Sequence, residues 1–131
     1  MLYILNSATL PLAGGKKYVI KARELSVQEA SELLKNEKFI SAIGHEATAQ
    51  ALSNVFGVTI PYNRTQITLQ PGDRLISIIL KKRLAEGQVL KTVEELEAIG
   101  YTIWLFEIGE DMEKDPKEKV EEFLKYNPGI V

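Results

Sequence analysis

Proton transfer near neutral pH has one obvious carrier in this chain, because His45 is its only histidine. It sits in Ile43-Gly44-His45-Glu46-Ala47-Thr48, where glycine frees the backbone just before it and an amphipathic helix starts at or beside it. A helix N-terminus attracts anions, so a phosphate could dock beside the imidazole. An imidazole so placed could hand a proton to a leaving oxygen. The bland alternative is a half-buried polar residue at a helix start, and the residues alone leave both readings open. There is no cysteine, which removes thiolate nucleophiles, disulfides and cysteine zinc sites. The remaining His, Asp and Glu residues show no convincing metal spacing, so no metal and no cofactor are expected.

A second group of residues suits a polyanion. Arg83 and Glu86 stand three apart, beside Lys81 and Lys82 and ahead of Gly87. This is either a solvated turn with a casual ion pair or a basic lid whose arginine clamps phosphate oxygens in a bidentate manner. Gly87 would then supply the hinge. Arg64, after Asn63, is either a further phosphate contact or simply exposed. Asn6-Ser7-Ala8-Thr9 leaves the end of an apolar strand, where ligands of open α/β sheets often bind, but an Asx-type turn explains it equally well. Gly14-Gly15-Lys16-Lys17 lacks the spacing of a phosphate-binding P-loop.

The elements that must hold these residues follow from periodicity and punctuation. Residues 2–5 read as a buried strand and 17–23 as a strand with Tyr18, Ile20 and Ala22 on one face. Ser26-Val27-Gln28-Glu29 is a capping box, opening a helix to about Lys35 whose stripe is Val27, Ala30, Leu33 and Leu34. A second helix runs from His45 to about Phe56, with Ala47, Ala51, Leu52 and Val55 on one face, and Gly57 stops it. Pro71-Gly72-Asp73 is a turn that joins an expected strand at 65–69 to one at 74–80 as a hairpin. Thr92-Val93-Glu94-Glu95 is another capping box before a short helix that Gly100 closes. Residues 101–108 form the strongest strand, with Trp104 and Phe106 read as core.

Beyond it, Asp115-Pro116 starts a charged amphipathic helix with Val120, Phe123 and Leu124 as its apolar stripe. The fold class expected is α/β: one domain with a mixed, roughly five-stranded sheet flanked by helices, plus a C-terminal helical extension. The boundary falls between a core at 1–108 and an acidic extension at 109–131.

Composition narrows the function classes. A chain of 131 residues, 45% hydrophobic and 26% charged, fits one globular domain. Its apolar runs are too short to span a membrane, and Met1-Leu-Tyr-Ile-Leu lacks the basic start of a secretory signal. A reducing compartment, the cytoplasm, is the default. The net charge of -2 argues against general nucleic-acid binding. That charge is uneven: residues 1–108 carry 12 Lys/Arg against 11 Asp/Glu, and residues 109–131 carry 4 against 7. A local basic site for a small polyanion is permitted.

Taken together, Ile40-Ser41-Ala42-Ile43-Gly44-His45-Glu46-Ala47-Thr48, Asn63-Arg64 and Lys82-Arg83-Leu84-Ala85-Glu86-Gly87 form an ordered set. With Leu5-Asn6-Ser7 and Trp104-Leu105-Phe106-Glu107-Ile108, this set resembles the viral type III anti-CRISPR ring nucleases, a small domain family also found in prophages and mobile elements. The resemblance covers about residues 1–108; the acidic helix beyond is a departure from it. It implies a homodimer that binds cyclic tetra-adenylate across its two-fold axis and cleaves it without metal, which silences type III CRISPR signalling in the cytoplasm of an infected host. By motif match, His45 would be the general acid, with Arg83 and Glu86 on the lid completing the catalytic set. Asn6, Ser7, Ala8, Thr9, Gly44, Arg64, Lys82 and Arg83 would contact the ring.

The chemistry is self-consistent, because ribose brings its own nucleophile in the 2′-hydroxyl. What is left is in-line orientation, charge neutralisation and a proton for the departing 5′-oxygen. A protein that sequesters the ring without cutting it is the alternative, followed by a small nucleic-acid or protein-interaction domain with a structural His45.

Overall fold

The computed structural model describes residues 1–85, 87–111, 123–125 and 129. In chain order the elements are β1 (Leu2–Leu5), β2 (Tyr18–Leu25), α1 (Val27–Asn36), β3 (Phe39–Ser41), α2 (Glu46–Phe56), β4 (Arg74–Leu80), α3 (Val93–Ile99) and β5 (Tyr101–Glu110). The strands form one five-stranded sheet in the order β2-β5-β4-β1-β3. β1 pairs in parallel with both β3 and β4, while β5 is antiparallel to β4 and to β2. The fold is therefore an α/β domain on a mixed sheet, in which β1 to β4 run one way and β5 runs back.

Local chemistry accounts for the helices. Ser26 accepts from the Glu29 N–H at 3.1 Å and its own N–H donates to the Glu29 carboxylate at 3.0 Å, completing the expected box at α1. At α3 the box is incomplete: Thr92 accepts from the Glu95 N–H, but the Glu95 carboxylate takes the N–H of Lys91 instead. Gly57 ends α2 with φ 65°, a left-handed conformation that penalises side chains. Alternation along the strands then sorts the core onto two faces. Leu2, Ile4, Ile76, Ile78, Ile103 and Leu105 pack with the buried sides of the three helices. The opposite face, with Tyr3, Leu5, Leu75, Phe106 and Ile108, is covered by the loop residues Leu10, Leu12, Ile67 and Leu69.

Further expectations need correction. Residues 65–69 are not a strand paired with β4; Leu69 alone bridges to Leu12. Both edges of β4 are already taken, by β1 and β5, so the Pro71–Asp73 turn brings in a loop that crosses the sheet face. The fifth strand is instead the short β3. Val27 is 39% exposed and does not belong to the buried stripe of α1, which is carried by Ala30 and Leu34. Trp104 is partly exposed and belongs to neither core cluster; it stacks on Phe106, which does pack against the loop-covered cluster, with ring centroids 6.5 Å apart.

β5 runs through Glu110, and the Asp111 N–H closes onto the Lys17 carbonyl. Of the expected C-terminal helix, residues 123–125 are helical, and most of the rest lies outside the described residues. Among the described residues no helix is long and apolar enough to cross a membrane.

Candidate functional site

Because β1, β3 and β4 are adjacent and parallel, their carboxyl ends open on one edge of the sheet. Asn6–Thr9 follows β1, Gly44-His45 follows β3, and Lys82-Arg83 follows β4. The β1 loop is thus flanked by the other two, and the ends of β3 and β4 lie two strand spacings apart, about 10 Å. This edge is where open α/β sheets place ligands.

His45 is the N-cap of α2, with extended backbone and no capping hydrogen bond from its side chain. It is exposed rather than half-buried, so its imidazole is not engaged in holding the helix start. Glu46, in the first turn, partly offsets the attraction of the helix end for an anion. Asn63 secures the neighbouring segment: its N–H donates to the Ile43 carbonyl at 2.9 Å and its side-chain amide to the Ser41 carbonyl at 2.7 Å. That clamp lays Arg64 against Gly44, where a Cβ would stand 3.6 Å from the Arg64 Cγ. Arg64 reaches the histidine segment as an exposed cation.

The β1 loop is shaped from within the sheet. Ser77, fully buried on β4, donates its hydroxyl to the Ser7 carbonyl. Ser7 and Thr9 then share a hydroxyl–hydroxyl bond of 2.9 Å, and the Thr9 N–H donates to the Ser7 hydroxyl. Asn6, Ser7 and Ala8 form one wall of a groove of about 410 Å³ whose other wall is Lys82, Arg83 and Leu84, with Ile78, Ile79 and Leu80 as its floor. Thr9 lines a second groove, of about 380 Å³, with Ala42 and Thr65–Thr68. Lys82 and Arg83 are exposed. Glu86, the remaining residue of the expected set, lies outside the described residues.

Two subsets are therefore assembled: Asn6–Ala8 with Lys82 and Arg83, and Gly44 with Arg64 beside His45. His45 does not line the groove that holds Arg83. The arrangement presents three exposed cations and an exposed imidazole around polar loops, which suits a phosphodiester. Among the described residues no group of three or more His, Asp or Glu could hold a metal ion.

Sequence reasoning missed the apolar floor of the first groove and the Thr65–Thr68 wall of the second. It also missed Ser77, although a serine inside Arg-Leu-Ile-Ser-Ile-Ile-Leu was a usable signal.

Comparison with known proteins fits this architecture. A family model described as STIV B116-like matches residues 2–103. The chain is 70% identical over 108 residues to Uncharacterized protein 26 of Sulfolobus islandicus filamentous virus, spanning 82% of this chain and 92% of that protein. It is 44% identical over 106 residues to Uncharacterized protein ORF117 of Acidianus two-tailed virus, spanning 79% and 90%. To Uncharacterized protein YddF of Bacillus subtilis it is 32% identical over 87 residues, spanning 65% and 80%. The solved structure of B116 of Sulfolobus turreted icosahedral virus superposes with a TM-score of 0.61 at 23% identity, covering 81% of this chain and 97% of that one.

Proposed function

The chain belongs to the STIV B116-like family, and from that premise we propose that it is a metal-independent phosphodiesterase that binds and cleaves cyclic tetra-adenylate. Cleaving that messenger would block type III CRISPR signalling, a benefit to a virus; two of the relatives above are viral proteins. The observation that carries the reading is His45 at the start of α2 without a capping bond, on the same sheet edge as Arg64, Lys82 and Arg83. The ordered motif resemblance names the ring.

In this reaction the ribose 2′-oxygen attacks the adjacent phosphorus and releases its proton to solvent water. The bond to the 5′-oxygen breaks, and that oxygen takes a proton from His45. Arg83 neutralises the phosphate oxygens and Arg64 supports the charge from the other side. Asn6–Thr9 orients the nucleotide. The product is a linear adenylate with a 2′,3′-cyclic phosphate at one end and a 5′-hydroxyl at the other.

A groove of about 410 Å³ is at the small end of ligand pockets and too small for a whole tetranucleotide. Two grooves related by a two-fold axis would match a ring of like symmetry, which is the support for a homodimer. The separation of His45 from the Arg83 groove favours one second reading, sequestration of the ring without cleavage.

Incubating the protein with labelled cyclic tetra-adenylate in excess chelator tests both. Linear adenylates ending in a 2′,3′-cyclic phosphate are expected. Tight binding with an intact ring would leave sequestration, and absence of binding would end both readings.

A further inference from the structure

We propose that Thr48 is a positioning residue that ties the segment carrying Arg83 to the first turn of α2, and so sets Arg83 in register with His45. The catalytic half of this statement rests on the ring-nuclease reading above; the tether itself does not. Thr48 follows His45 by three residues, and the His45 carbonyl accepts from the Ala49 N–H at 3.0 Å, so Thr48 lies in the same rigid turn. A helical threonine commonly turns its hydroxyl back to a carbonyl of its own helix. Thr48 instead donates across the fold to the Leu90 carbonyl at 2.7 Å, 42 residues away. Both residues are buried, Thr48 at 2% and Leu90 at 3% exposure.

Among the described residues the chain between β4 and α3 has few other anchor points. At its base the Lys81 N–H donates to the Gly100 carbonyl at 2.9 Å. Leu84 packs partly against the main core, while Lys82, Arg83 and Ala85 are exposed. Ala85 and Gln88 close a local turn through the Gln88 N–H to the Ala85 carbonyl and the Ala85 N–H to the Gln88 side chain. Leu90 is the next fixed point, with its side chain in the core and its carbonyl on Thr48. The basic segment is therefore held on one side by the Lys81 bond and the Leu84 contact, and on the other by Leu90 on Thr48, in the element that also fixes His45. The hydroxyl connects the two halves of the proposed site within one protomer.

The test compares Thr48→Val, which keeps the shape and removes the donor, with Thr48→Ser, which keeps the donor. All are measured at a temperature where circular dichroism shows each variant folded. Native-state trypsin cleavage, with sites located by mass spectrometry, is expected to accelerate at Lys81, Lys82 and Arg83 in Thr48→Val and to stay at the parental rate in Thr48→Ser. Single-turnover cleavage of cyclic tetra-adenylate is expected to slow by about ten- to a hundred-fold in Thr48→Val, the penalty for a small misplacement of a catalytic group, with serine restoring it. In an Arg83→Ala background the valine change should add little, whereas a purely structural role would multiply the two losses.

Parental trypsin rates in Thr48→Val would overturn the tether, and multiplied losses would overturn the action through Arg83. A parent that cleaves no ring would overturn the functional reading, and the trypsin comparison would still decide the tether by itself.

Discussion

Gly100→Ala separates backbone strain from crowding at the foot of the basic segment. Gly100 caps α3 with φ 80° and ψ 148°, a region that residues with a side chain enter at a cost of about 1–3 kcal/mol. An added Cβ would also stand 3.0 Å from Cδ of Lys81. The Lys81 side chain is exposed and flexible, so it can withdraw at little cost. The backbone contribution therefore dominates, and the expected total is about 2–3 kcal/mol. A domain of this size loses about 4 °C in Tm per kcal/mol, which gives a fall of about 8–12 °C. Urea and thermal unfolding of Gly100→Ala, Lys81→Ala and the double variant measure both parts. The double variant should regain only a small fraction of the loss. Full recovery on trimming Lys81 would show that crowding, not glycine conformation, sets the requirement at this position.

Other consequences are equally direct. The Arg74 guanidinium, hydrogen-bonded to Glu37, holds that carboxyl below the ordinary glutamate value of 4.5. A lowered folded-state value means stabilisation that is present above pH 4.5 and lost as pH falls through the folded value. The stability gap between the parent and Arg74→Met should therefore narrow below pH 4.5 in urea melts; a constant gap would contradict the pairing. Ending the chain at Asp111, whose N–H makes the closing bond to Lys17, should leave folding by circular dichroism and ring cleavage intact, since the family match ends at residue 103. Arg83→Ala should weaken ring affinity as well as turnover in a filter-binding and single-turnover pair; unchanged affinity would remove the clamp.

Elements written in local code were legible from the sequence: α1 and α2 from caps and apolar spacing, β4 and β5 from long β-branched and aromatic runs. Thr65-Gln66-Ile67-Thr68-Leu69 has the alternation of a strand, yet pairing is decided non-locally and β4 had no free edge for it. The same limit applied to the site. His45, Arg64, Lys82, Arg83 and Asn6–Thr9 stand out by type and flanks, but that they share one edge depends on the strand order. The contacts of Thr48 and Ser77 were hidden for another reason. The apolar run of β4 marks Ser77 as a polar group in need of a partner, but the partners themselves are the main-chain carbonyls of Leu90 and Ser7, which leave no signature in side-chain identity.

Single-turnover cleavage of cyclic tetra-adenylate in excess chelator, parent against His45→Ala, bears most directly on the proposed chemistry. The variant is expected to bind the ring and to cleave it at least about a hundred-fold more slowly, the usual contribution of a general acid. Cleavage by His45→Ala at the parental rate, or loss of parental activity in chelator, would contradict a metal-free mechanism with His45 as the proton donor.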